Sequence, residues 1–238
     1  TSPLAISLGG KALDPEKSKN YSIGLTSSLR ENINISIDYY WIELSDRIAK
    51  TINIPVEDSL FSEASFYTNA LTSETKGIDI MVKYAKAWQN GMTSHIDFSY
   101  NHNITEITGQ NPVNGINPVS DDIIFNIENS MPNDRFNLTL LQTINKEWQI
   151  KIRTNYFGDM IDERKQHEKV SGRTFIDLEL NYKQNKNLSW TLGASNLFDT
   201  YSNKLETRQD NGLLYSQRGA MGYDGGSAYI RFTYNFEE

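Results

Sequence analysis

The stretch Ile176-Asp177-Leu178-Glu179-Leu180-Asn181-Tyr182-Lys183, the link Gln184-Asn185-Lys186-Asn187, and the stretch Leu188-Ser189-Trp190-Thr191-Leu192-Gly193-Ala194-Ser195 together decide the fold. Apolar and polar residues alternate on both sides of a short polar link. Side chains of a strand point to opposite faces in turn, so each half has one apolar face and one polar face. A link this short joins antiparallel neighbours, because parallel strands need a long crossover.

The same pattern recurs in both directions along the chain. Upstream, the apolar phases are Tyr21-Ile23-Leu25-Leu29, Ile33-Ile35-Ile37-Tyr39-Trp41, Ile78-Ile80-Val82-Tyr84, Ile96-Phe98-Tyr100, Phe136-Leu138-Leu140 and Trp148-Ile150-Ile152-Tyr156. Downstream comes Ala228-Ile230-Phe232-Tyr234-Phe236. With the central hairpin this makes nine strands. Their connections alternate in length. Arg30–Asn32, Gln89–Gly91, Asn145–Lys146 and Gln184–Asn187 are tight, whereas Ser45–Thr75, Thr105–Asp134, Gly158–Arg173 and Asp199–Gly226 are long. Short turns at one end and long loops at the other are the layout of a membrane β-barrel. A soluble sandwich spreads its long loops more evenly.

Alternation alone fits both a soluble sheet and a barrel in lipid. Strand length and aromatic placement separate them. The segments run about 9 to 13 residues, against a soluble mode of about 5 or 6 and a bilayer requirement of about 9 to 11. Tyr21, Tyr39, Trp41, Tyr84, Trp88, Trp148, Tyr156, Tyr182 and Tyr234 stand near strand ends in the apolar phase. Amphipathic rings mark the two membrane interfaces in this way. The expected fold is therefore all-β, a transmembrane antiparallel β-barrel. Single-chain bacterial barrels have an even number of strands, and an open edge in lipid leaves backbone groups unpaired. Nine strands thus read as part of a larger barrel, with residues 1–17 the tail of a long loop.

Composition removes other classes. The chain has 238 residues, 38 % of them hydrophobic, with a mean hydropathy of −0.55. No apolar run reaches the 18 or so residues of a membrane helix. The Tyr, Phe and Trp content of 11 % argues against disorder. There is no cysteine, so neither disulfides nor thiolate metal sites are available. A net charge of −7 with no basic stripe makes nucleic acid a poor partner.

Four stretches resemble the C-terminal half of the barrel of TonB-dependent outer-membrane receptors. They are Leu13 to Tyr21 (LDPEKSKNY), Phe66-Tyr67-Thr68-Asn69-Ala70 with Glu74 to Asp79 (ETKGID), Asn196-Leu197-Phe198-Asp199-Thr200-Tyr201, and the closing Tyr229 to Phe236 (YIRFTYNF). The resemblance implies that residues 1–238 are the C-terminal nine strands of a 22-stranded barrel closed around a plug. It also implies TonB-dependent uptake of a scarce nutrient across the outer membrane of a Gram-negative bacterium. A ferric siderophore is the first expectation, ahead of haem, cobalamin, carbohydrate or peptide. The implied partners are outer-membrane lipid, TonB through an N-terminal region absent from this chain, and the barrel assembly machinery through the last strand. Phe236 keeps the apolar phase, and Glu237 and Glu238 follow it as a short overhang.

No catalytic constellation, metal site or cofactor motif is read from the chain. His95 and His102 lie seven apart on one strand, roughly 23 Å in extended chain, and do not share a ligand shell. Asp38, Asp79, Lys83, Asp97, Lys151, Arg153, Asp177, Glu179, Lys183 and Arg231 share the polar phase. Lys151 or Arg153 is expected to bridge Asp177 or Glu179 across strands. Gly222, Gly225 and Gly226 read as bends into the last strand. Asn103–Asp134 holds five acids and neither Lys nor Arg, while Asp159–Arg173 is mixed. Ligand contact is assigned to Tyr67, Arg164, Lys165, Arg208 and Tyr215, because Arg matches oxygen-rich anions and Tyr stacks with a hydroxyl handle. Phe61, Phe66, Tyr201 and Tyr223 are further stacking candidates. Two other readings stay open: a soluble carbohydrate-binding β-sandwich, and another outer-membrane barrel, structural or lipid hydrolase.

Overall fold

A computed structural model describes residues 2–57, 62–162, 167–206, 212, 214–216 and 220–236. The elements in chain order are α1 (Pro3–Ser7), β1 (Lys17–Leu29), β2 (Ile33–Lys50), β3 (Ile54–Pro55), β4 (Glu63–Ala64), β5 (Tyr67–Ala87), β6 (Thr93–Gln110), α2 (Asp121–Asn129), β7 (Asp134–Thr143), β8 (Trp148–Phe157), β9 (Met160–Ile161), β10 (Lys169–Val170), β11 (Arg173–Lys183), β12 (Leu188–Ser195) and β13 (Ser227–Tyr234). Nine strands form one sheet in the order β1-β2-β5-β6-β7-β8-β11-β12-β13. The intervening strands make two separate two-stranded ribbons, β3 with β4 and β9 with β10. Each long strand thus pairs with the next long strand, as the alternating links require. The chain clusters into two compact units, residues 1–23, 39–77 and 103–129, and residues 24–38, 78–102 and 130–238.

In the second unit the registers align the apolar phases into continuous rows. Ile96 faces Leu140, Leu140 faces Ile152, Ile152 faces Leu178, Leu178 faces Ala194, and Ala194 faces Ala228. Aromatic rows bound this apolar field on both sides. Trp148, Tyr182, Trp190 and Phe232 are successive partners at the short-turn end. Tyr100, Phe136 and Tyr156 are successive partners at the other, with the Phe136 and Tyr156 rings stacked 5.1 Å apart. Trp148 and Tyr156 are eight residues apart on β8, roughly 26 Å at about 3.3 Å per residue. The apolar band of an outer-membrane barrel is about 25 Å tall. Leu192 and Ile230 are 54 % and 71 % exposed on this face, which in water would be an unexplained apolar patch.

The opposite face of the same strands is polar. Asp177 stands opposite Arg153, and Glu179 opposite Lys151. Both pairs approach to 3.9 Å, in the combination expected from the sequence. Tyr229 lies across from Gly193 and donates its hydroxyl to Glu179 at 2.8 Å. A β-carbon on Gly193 would run into the Tyr229 ring, so the missing side chain makes room for the aromatic one. The short turns repeat one device. Asn145 Oδ1 accepts from the amides of Glu147 and Trp148, and Asn185 Oδ1 from those of Asn187 and Leu188. Asn closes such turns because its side chain imitates a backbone carbonyl.

In the first unit the strands extend past the limits expected from alternation. The sequence reading ended the second strand near Ser45 and resumed at Thr75, yet β2 reaches Lys50 and β5 starts at Tyr67. Likewise β6 runs to Gln110, beyond the expected Thr105. Here the apolar residues Ala49, Ala70, Leu71 and Ile107 do not keep a strict alternation, and they pack into a small core with Val119, so the period-2 signal fades while backbone pairing continues. Asp46 sits within β2 at a left-handed φ of 57°, which non-glycine residues adopt only under constraint. The constraint is Asn69, whose Nδ2 donates to the carbonyls of Asp46 at 2.6 Å and Asp14 at 2.8 Å.

The long connection after β6 contains α2. Ser120 caps this helix, accepting from the Ile123 amide at 3.4 Å, and Asp121 and Asp122 fill its first turn. Carboxylates there oppose the positive end of the helix dipole. Ile124 and Ile127 pack on a small core of Ala70, Leu71 and Val119.

Candidate ligand-binding site

The elements joining β8 to β11 and β12 to β13 form a compact structure within the second unit. Met160 from β9, Val170 from β10, and Leu205 and Met221 from the last long loop are buried together, with Phe157 and Phe175 packed against them. Lys169 closes the ribbon by binding Asp159 at 2.6 Å. The Gly172 amide donates to the same carboxylate at 2.7 Å. These two donors, the ammonium first, hold the Asp159 carboxyl below its ordinary pKa.

After β12 the chain turns through Asn196 and Asp199, both at left-handed φ values, 47° and 51°. Asn196 brackets Thr200, donating to its carbonyl and accepting from its amide at 2.9 Å each. Asp199 accepts from the Gly226 amide at 2.7 Å and from the Tyr201 hydroxyl, which raises the tyrosine pKa. Gly225 and Gly226 precede β13 without left-handed backbone. Their requirement is space: a β-carbon on Gly225 would collide with the Tyr201 hydroxyl. Asn196-Leu197-Phe198-Asp199 is thus a turn that docks the start of β13 against the end of β12.

Tyr215 stacks on Tyr201, centroids 5.0 Å apart and planes 15° from parallel. Arg173 Nε donates to the Tyr201 carbonyl at 3.1 Å. Tyr215 therefore belongs to an aromatic pair tied to the loop base, a partnership invisible in the sequence. Tyr67 belongs to the first unit, where it is 62 % exposed at the start of β5. It lines a cleft of about 490 Å³ with Phe66, Leu4, Leu13, Lys11 and Glu63. Arg164, Lys165 and Arg208, with Phe61, lie outside the described residues. Tyr67 and Tyr215 fall in different units. Leu4 on α1, and Lys11 and Leu13 after it, were not foreseen, since nothing local marks a residue that a distant strand approaches.

His95 and His102 both lie on β6. The His102 imidazole meets the Asp134 carboxylate at 2.9 Å, and that carboxylate accepts the Tyr100 hydroxyl at 2.6 Å. This trio stands at the end of the Tyr100-Phe136-Tyr156 row.

Residues 1–197 match the family described as TonB dependent receptor-like, beta-barrel. The vitamin B12 transporter BtuB of Photobacterium profundum is 27 % identical over 191 residues, covering 80 % of this chain and 28 % of that protein. The ferric-pyoverdine 358 receptor of Pseudomonas putida is 27 % identical over 203 residues, covering 82 % and 22 %. The chain therefore spans under a third of the length of these curated relatives. Among solved structures, the ferripyoverdine receptor of the Pseudomonas aeruginosa outer membrane superposes with a TM-score of 0.64 at 16 % identity, over 95 % of this chain and 28 % of that one. The ferric-catecholate import receptor Fiu of E. coli K12 gives 0.62 at 14 %, over 94 % and 28 %. A receptor family leaves neither the sandwich nor the hydrolase reading standing. The rows of lipid-facing apolar residues, the aromatic belts and the match over residues 1–197 carry one conclusion: the chain belongs to the TonB-dependent receptor β-barrels of the bacterial outer membrane.

Proposed function

We propose that this chain is the C-terminal part of a receptor that imports a ferric siderophore, driven by TonB. The observation that carries the reading is the similarity over 203 residues to a ferric-pyoverdine receptor. Fold similarity to two further ferric-siderophore receptors is consistent with it. In this reading residues 1–238 supply nine strands of a 22-stranded barrel, and residues 1–17 are the tail of an outer loop. The rest of the barrel, the plug and the TonB contact come from an N-terminal region, and the last strand is the one handed to the assembly machinery. The long connections face outward. Tyr67 and Tyr215 offer aromatic surface there, and Arg164, Lys165 and Arg208 offer charge to an oxygen-rich anionic complex.

Uptake of labelled ferric siderophores by cells carrying the complete receptor is the test. Arg164→Ala and Arg208→Ala together should lower uptake roughly tenfold or more, as loss of charge-assisted contacts worth about 1.5–3 kcal/mol each would do. A second reading, cobalamin import, is favoured by the similarity over 191 residues to a vitamin B12 transporter. Undiminished siderophore uptake in a strain lacking the gene, with lost growth on cobalamin, would select it.

A further inference from the structure

We propose, resting on the assignment of Tyr215 to solute contact, that Asp177 and Arg173 on β11 are positioning residues for that contact. They clamp residues 196–201 at both ends and thereby hold the Tyr201–Tyr215 pair where a solute meets it. Neither touches the solute.

The clamp follows from the unequal pairing of β11. Toward β8 its ladder runs from Tyr182 back to Arg173, but toward β12 it stops at Leu178, opposite Ala194. Residues 173–177 therefore pair with β8 alone among the described strands. Asn196 leaves the path of β12 at its left-handed φ of 47°, and the chain after it runs along this open stretch. The Leu197 amide donates to the Ile176 carbonyl at 2.7 Å. Asp177 Oδ1 accepts the Asn196 amide at 2.9 Å, and Arg173 Nε donates to the Tyr201 carbonyl at 3.1 Å.

The residue types suit the task. Asn196 is only 8 % exposed and its amide has left the ladder. A buried amide needs an acceptor, and an ionised one makes the stronger bond. Arg153 approaches the other oxygen of Asp177 at 3.9 Å, beyond hydrogen-bond distance. The short bond of this carboxylate is thus to the turn and not to its ion-pair partner. Between the two ends the span is tied to itself, because the Asn196 side chain brackets Thr200 through two bonds of 2.9 Å. A shift at Asp177 or Arg173 therefore passes to Tyr201, and through the stacked rings to Tyr215. Every member of this chain belongs to the second unit. Contiguous bonds and packing of this kind carry coupling between sites, and the coupling is measurable.

The test uses the complete receptor, in detergent for amide exchange and in cells for uptake of labelled ferric pyoverdine. Asp177→Ala should lower protection of the Asn196 and Thr200 amides and raise KM for uptake, each roughly tenfold, with the maximal rate unchanged. Asp177→Asn keeps an oxygen for the Asn196 amide and should restore both to within about threefold of the parent. Arg173→Met releases only the far end, so KM should rise while Asn196 stays protected; if Asp177→Ala fails to fold, these two variants decide. In a Tyr215→Ala background Asp177→Ala should add nothing to KM, since the clamp acts through Tyr215. Unchanged protection in Asp177→Ala overturns the proposal, as do KM effects of Asp177→Ala and Tyr215→Ala that multiply. Lost protection with KM unaltered in both single variants would overturn it through the solute role of Tyr215, with the clamp itself intact.

Discussion

Asp159 links one carboxylate to the order of a long loop. Its pKa is depressed by Lys169 and by the Gly172 amide, so the folded loop binds this proton less readily than the unfolded loop. Such a group stabilises the folded form fully above the ordinary carboxylate value of about 3.9 and loses that contribution as the pH falls through the lower folded value. The pair is more than half exposed, so water screens it and the effect is confined to the ribbon. In the complete receptor, the exchange protection of the Gly172 amide should be constant at neutral pH and drop only below about pH 4. Asp159→Asn should lower protection at neutral pH and abolish the acid step. Protection that ignores both changes would mean that the hydrophobic contacts of Met160 and Val170 alone hold the loop. At this scale the sequence is informative about kind and silent about partner. Tyr215 is legible as an aromatic loop residue, but its stacking on Tyr201 depends on how the loop folds back.

Among elements, the β12–β13 pair shows what alternation conceals. Gly193 occupies an inward position that any small polar residue fits by pattern, yet Tyr229 fills its space. Gly193→Val should destabilise the complete receptor by about 1–3 kcal/mol through overpacking, read as a lower unfolding temperature in detergent. Tyr229→Ala in the same protein should restore part of the loss, although Glu179 then loses its hydroxyl donor. A single variant as stable as the parent would show that the ring moves aside freely. The face assignment has its own test on β11. Cysteine at Leu178 should react with a lipid-soluble reagent and cysteine at Asp177 with a water-soluble one, since the two point to opposite faces. A reversed pattern would place the apolar row inside and contradict the belts drawn by Trp148 and Tyr156. These faces were legible in the sequence because lipid and water act on each side chain locally. The extensions of β2, β5 and β6 were not, because there Ala70 and Leu71 are buried against Val119 and α2, a packing between distant segments that no strict alternation marks.

In the whole receptor the two ends of the sheet meet different compartments. Short turns at Glu31, Asn90, Asn145 and Lys186 are expected inside, and the long connections outside. The turn Val113–Ile116 is a suitable reporter: Val113 and Ile116 exchange backbone hydrogen bonds at 2.9 and 3.0 Å around Asn114 and Gly115, and its tip is exposed. An epitope inserted at Gly115 should bind antibody on intact cells, whereas one at Lys186 should bind only after the outer membrane is opened. Access to Lys186 alone would invert the barrel.

Alternation, link lengths and aromatic spacing were enough, in the sequence, for the strand count of the sheet, the faces of each strand and the membrane as solvent. These are set by period and by local solvent preference. Tertiary structure alone decided the rest. Asn69 pins the left-handed Asp46, α2 settles on Ala70 and Leu71, Tyr229 enters the space over Gly193, and Lys11 and Leu13 line the cleft with Tyr67. Each joins residues far apart in sequence, and the choice depends on register and loop path, to which period 2 is blind.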